Sequence, residues 1–139
     1  HVIGMFAPSF FTGGLIKRTG VLPVMFAGAI FNFAAIGIAL SGISVAQFWW
    51  SLVLLGVGWN FAFIGGTALL TQSYRPAEQL RVQAVNEFSI FGLVALATLS
   101  AGWVYDRFGW VALNLAVVPL LVVALLTAVG IERRMRAAV

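Results

Sequence analysis

A chain of 139 residues with 62% hydrophobic and only 9% charged residues cannot cover a soluble surface, which takes about a quarter of residues charged. Mean hydropathy is +1.05, so the fold class is all-α, an integral membrane protein or part of one. The net charge of +4 does not point to nucleic acid, because the cations fall in short clusters beside apolar runs, as membrane-orientation signals do.

Cysteine is absent, which excludes disulfides and thiolate metal sites, and the single histidine, His1, cannot build a metal site or a triad. No hydrolase, metalloprotease or P-loop signature occurs, so neither catalysis nor a metal or other cofactor is expected.

A membrane-crossing helix needs about 20 apolar residues. The opening "HVIGMF" has no initiating Met and no basic stretch before an apolar one, so the chain reads as a fragment of a longer protein. Residues 1–16 are the expected tail of a helix already under way, kinked or broken at Pro8. Next comes "GGLIKRTG", a loop of glycines around Lys17 and Arg18. Four full spans are then expected, at 22–40, 48–70, 84–104 and 110–131. Pro23 falls in the first turn of the first of these, where a missing N–H costs little.

Basic residues mark alternate connections: Lys17 and Arg18, then Arg75 and Arg81, then the tail with Arg133, Arg134 and Arg136. Those ends are expected in the cytoplasm, C-terminus included, with the cell (inner or plasma) membrane as the location. Trp49, Trp50, Trp103, Tyr105 and Trp110 fall at the opposite ends, where amphipathic rings settle at an interface. The arginines of the tail are orientation determinants within reach of anionic lipid.

"GGLIKRTG" has a partner in "GWVYDRFG". Aligning Gly13 with Gly102 pairs Lys17 with Asp106, Arg18 with Arg107 and Gly20 with Gly109. The copies are separated by an odd number of crossings, so they fall on opposite faces, as an inverted repeat of three helices requires. Glycines for the turn, an arginine at the interface and a glycine starting the return helix are the expected parts: Gly13, Gly14, Lys17, Arg18 and Gly20 in one copy, Gly102, Asp106, Arg107 and Gly109 in the other.

These loops, with "YRPAEQLRVQAVNEF" and "AGWVYDRFGW", make the whole chain resemble the C-terminal half of a major facilitator superfamily transporter. The resemblance implies a twelve-helix bundle of which this chain would be late helix eight through helix twelve. The family's loop signature usually has an acid where this chain has Lys17 and a base where it has Val21, so a gating role for this loop is not implied.

Polar groups inside apolar spans are the candidate site, because they are costly unless paired or hydrated. On the 48–70 helix, Gly56, Asn60, Thr67 and Thr71 share one face at about 100° per residue, with Phe63 and Ile64 flanking them. Gly58, Ala62 and Gly65 form a small-residue seam opposite. The resemblance makes this helix ten, which is expected to line the central pathway. Asn60 is the candidate substrate contact near the midplane, or an interhelical hydrogen bond; Trp59 beside it stacks a substrate or packs. Glu87, next to Asn86, is the only carboxylate within the expected spans and a candidate proton carrier, unless it pairs with Arg81 or Arg75 near the boundary. Asn32 and Asn114 are expected as helix–helix glue.

The expected function is secondary transport of a small solute by alternating access, proton-coupled, with membrane lipids and the N-terminal half of the same transporter as partners and no nucleic acid. A membrane scaffold and an intramembrane enzyme with catalytic residues elsewhere are the rivals. Gly56, Asn60 and Thr67 packed shut between helices would favour the scaffold.

Overall fold

The computed structural model describes residues 1–137, without the side chains of residues 132, 135 and 136, so the expected orientation charge of Arg136 lies outside the described residues. Among these residues the chain forms α-helices and no strand: α1 (Val2–Phe6), α2 (Ser9–Thr19), α3 (Val21–Ser41), α4 (Val45–Thr71), α5 (Gln79–Leu115) and α6 (Val117–Ala137). A single 3-10 turn, Pro76–Glu78, precedes α5.

The boundaries have local causes. Pro8 has no N–H to continue the ladder, and α1 and α2 part there as expected. Ser44 caps α4: its hydroxyl accepts from the Gln47 N–H, and Gln47 Oε1 accepts from the Ser44 N–H at 3.0 Å. That reciprocal pair is a capping box, legible in the sequence as S-x-x-Q. Arg75 is extended, as the residue before a proline tends to be, and the Glu78 carboxylate accepts from its N–H.

Among the described residues, only Gly20 and Gly109 have φ well inside the positive region that favours glycine. Gly20 sits at φ 93°, ψ 169° and Gly109 at φ 77°, ψ −178°. Both lie in a region of backbone space essentially reserved for glycine. The two aligned glycines therefore make the same reversal. The rest of the expected device differs: Gly13, Gly14 and Gly102 lie inside helices, and Asp106 and Arg107 remain helical. Lys17 and Arg18 occupy the last turn of α2 rather than a loop, where cations complement the exposed carbonyl end.

Among the described residues, three stretches are long and apolar enough to cross a membrane: Val21–Ser41, Val45–Thr71 and Pro76–Ile131. The last has 56 residues, and a straight helix of that length would run about 84 Å, nearly three times the hydrocarbon thickness. It is folded back at Gly109. The Trp110 indole N–H donates to the Ala39 carbonyl at 2.8 Å, whereas Asn86 and Ile131 line one cavity with Met25 at the other end of α3. The third and fourth expected spans are thus antiparallel limbs of this stretch.

The closest packing joins α3 to α4 along the expected seam. Gly58 faces Gly28 and the Asn32 amide, Gly65 faces Met25, and Ser51 donates its hydroxyl to the Ala35 carbonyl at 2.9 Å. Phe31 and Phe61 meet edge to face at 5.8 Å. Asn32 is buried in this contact, but Asn114 donates to the Trp110 carbonyl of its own helix and glues nothing. Trp110 also lies against Phe48 and Tyr105, while Arg107 sits 5.9 Å over the Trp103 ring. Phe48, Trp103, Tyr105, Phe108 and Trp110 thus gather at the Gly109 end. Lys17, Arg18, Arg75, Arg81, Arg133 and Arg134 gather at the Gly20 end.

Candidate functional site

The polar face expected on α4 is divided between two neighbours. Gly56 and Asn60 turn to α1 and α2, and Thr67 turns with Trp59 and Phe63 to the space in front of α5 and α6. A 3.6-residue period assigns a common face, but the arc it covers here spans two packing partners.

The first part is a closed polar node. Asn60 is 3% exposed, and its Nδ2 donates to the Met5 carbonyl and to the Ser9 hydroxyl, both at 2.6 Å. Its Oδ1 accepts from Thr12 Oγ1 at 2.8 Å, and the same hydroxyl lies 2.7 Å from the Pro8 carbonyl. Thr12 is fully buried. In an unbroken helix the Met5 carbonyl would accept from the Ser9 N–H; at the Pro8 break a side chain from α4 takes over that duty. Gly56 allows the approach, since a methyl at its position would fall 2.5 Å from the His1 carbonyl and 3.0 Å from the Gly4 carbonyl carbon.

Replacing Asn60 with Leu is expected to lower stability by about 1–2 kcal/mol, the upper range for interhelical hydrogen bonds. Thr12→Val should cost less, and the double variant less than the sum, since both remove one network. Thermal unfolding of the full-length protein in detergent measures this; an unchanged midpoint for Asn60→Leu would mean that the node contributes nothing.

The second part is open. A cavity of about 300 Å³ lies between α3, α4, α5 and α6, with Phe63, Thr67 and Leu70 on one wall and Asn86 and Ile90 on another. Ser73 and Thr127 complete its polar end. Phe63 also borders two further spaces. One, of about 310 Å³, reaches Trp59, Leu93 and Val94. The other, of about 190 Å³, reaches Ser9, Trp59, Asn60 and Phe91. The Trp59 and Phe63 rings stack at 6.0 Å with 16° between their planes. The result is a continuous aromatic strip on α4 that leads to a polar end at Thr67.

Of the expected site residues, Thr67, Trp59 and Asn86 meet along these spaces, and Asn60 borders only the smallest. Gly56 belongs to helix packing, and Thr71 is exposed, donating to the Ala68 carbonyl. Glu87 is half-buried one position on from Asn86 and is not among the residues lining the cavity. Ser73 and Thr127 were not singled out by the sequence, because Ser73 lies just past α4 and Thr127 is one hydroxyl in an apolar run. Among the described residues no three His, Asp or Glu side chains come together as metal ligands.

The model of a family described as YwiC-like protein matches residues 28–138. The chain is 46% identical over 126 residues to the riboflavin transporter RfnT of Brucella anthropi, covering 90% of this chain and 31% of that protein. It is 36% identical over 104 residues to the uncharacterized MFS-type transporter YddS of Bacillus subtilis, and 33% identical over 110 residues to YdeG of the same organism. Each of these matches covers 73% of this chain and 23% of the relative. The chain therefore spans a third or less of the length of these relatives. Their names are those of transporters and not of enzymes. No solved structure matches.

Proposed function

We propose that this chain, which belongs to the YwiC-like protein family, is the C-terminal part of a secondary transporter that moves riboflavin or a similar flat, neutral solute by alternating access. The observation that carries the reading is the strip of Trp59 and Phe63 leading to Thr67 and Asn86, an apolar wall with a few convergent polar groups. Stacked aromatic rings suit a planar heteroaromatic ligand. The 46% identity to a riboflavin transporter supports that substrate class. Asn60 stands at the edge of the path and Gly56 behind it.

The cationic Gly20 end and the C-terminus belong in the cytoplasm, and the aromatic Gly109 end at the opposite interface. An N-terminal half of the same transporter and membrane lipids are the proposed partners. A proton is the proposed coupling ion. Glu87 would carry it, and Glu87→Gln should then remove the pH dependence of uptake while riboflavin still binds.

The test is uptake of labelled riboflavin by the full-length protein in cells that have no other route for it. Saturable uptake is expected, and Trp59→Ala should lower it by at least about tenfold at equal protein in the membrane, the typical loss when a stacking ring is removed. No uptake above the empty host would sink the proposal. In that case the scaffold reading gains, favoured already by one observation: Gly56 and Asn60 are packed shut against α1 and α2.

A further inference from the structure

The polar end of the cavity between α3, α4, α5 and α6 has a definite hydrogen-bonding sense. Three hydroxyls line that end: Thr67 on α4, Ser73 just beyond it and Thr127 on α6. Each gives its proton to a backbone carbonyl three or four residues earlier in the chain. Thr67 donates to the Phe63 carbonyl at 2.9 Å and Ser73 to the Leu69 carbonyl at 3.1 Å. Thr127 lies 3.0 Å from the Val123 carbonyl and 2.9 Å from the Ala124 carbonyl. A hydroxyl has one proton and two lone pairs, so each of these turns an acceptor to the cavity. Asn86 adds a carboxamide, which both gives and accepts, and none of the described lining residues is charged.

Building on the transporter function proposed for this same site, we propose that this end selects a neutral substrate bearing several hydrogen-bond donors, a polyhydroxylated chain attached to the flat ring, and rejects the phosphate ester of the same molecule. The ring stacks along Trp59 and Phe63, and the hydroxyls of the chain donate to Thr67, Ser73 and Thr127. These acceptors are spread over more than one turn of α4 and across to α6, so one donor cannot serve them all, whereas a chain of several can. A phosphate monoester brings a charge of about −1.5 to −2 near neutral pH and only acceptor oxygens. Phosphate sites are built from Arg, Lys and backbone N–H groups. Here the phosphate would exchange its hydration for lone pairs of like polarity, the uncompensated burial of charge that interiors avoid.

Binding to the purified full-length protein tests this with three probes: riboflavin, riboflavin 5′-phosphate and lumiflavin, which keeps the ring and lacks the polyol. Riboflavin is expected to bind tightest, with the phosphate ester weaker by at least about tenfold. Thr67→Val and Thr127→Val, near-isosteric changes that remove the acceptor, should each weaken riboflavin by roughly three- to tenfold while leaving lumiflavin unchanged. Equal affinity for riboflavin and its phosphate would overturn the inference and leave the transporter function standing. So would valine variants that weaken both neutral probes alike. Binding of none of the three would overturn both.

Discussion

Gly58→Ala is expected to destabilise the bundle by about 1–3 kcal/mol, the usual cost of forcing a methyl into a filled helix contact. The added Cβ would fall 2.5 Å from Asn32 Oδ1 and 2.7 Å from the Gly28 carbonyl oxygen. The Asn32 amide can turn aside, but the Gly28 carbonyl is part of the α3 backbone and moves only if the helix moves. Separating α3 from α4 would also loosen Gly28 from Phe61, which a methyl at Gly28 would meet at 2.9 Å. Gly37→Ala is the matched control. Nothing lies within 4 Å of the Cβ it would add, so helix propensity alone should make it neutral or stabilising by up to about 1 kcal/mol. Thermal unfolding of both variants in detergent decides the matter, and a Gly58→Ala protein as stable as Gly37→Ala would show that the seam is not close-packed.

Gly20→Ala and Gly109→Ala should each cost about 1–3 kcal/mol for a different reason. No atom lies within 4 Å of a Cβ built at Gly109, and at Gly20 only Pro23 Cδ lies near, at 3.8 Å. Space is therefore not the problem. The cost is the backbone: an L-residue is strained at φ 93° or 77° with ψ near 180°. Gly13→Ala and Gly102→Ala, inside helices and with open space at Cβ, should stabilise slightly within this chain. The check is the contrast in melting midpoint within each copy of the repeat. If the first and last glycines respond alike, the last one is not the reversal element.

Much of the architecture was legible in the sequence. Apolar length set the spans at 22–40 and 48–70, and Val21–Ser41 and Val45–Thr71 extend these by only one to three residues at each end. The pairing of Gly20 with Gly109 was legible because a residue-specific backbone demand leaves a residue-specific trace. The division of labour inside each motif was not. Glycine is tolerated in a membrane helix, so Gly13, Gly14 and Gly102 looked like turn residues while being helical. Lys17 and Arg18 read as a loop because charge ends an apolar run before the hydrogen-bond ladder ends.

The candidate site was legible by half. Periodicity named Asn60 and Thr67 as facing one way, but a period has no knowledge of which helix stands opposite. Ser9 and Thr12 escaped attention because they sit behind Pro8 in a helix judged only as a remnant. Once the chain folds, they are what occupies Asn60.

The Pro8 break has a mechanical consequence. A proline kink is often treated as a swivel, yet here the loosened carbonyl of Met5 is gripped by a side chain from another helix. Bending at that point must first extract the Asn60 amide from three partners. The break is splinted: one buried amide ties α1, α2 and α4 together at the point where the helix is interrupted. Asn60→Leu would then do more than weaken the fold: it would turn the splint back into a hinge.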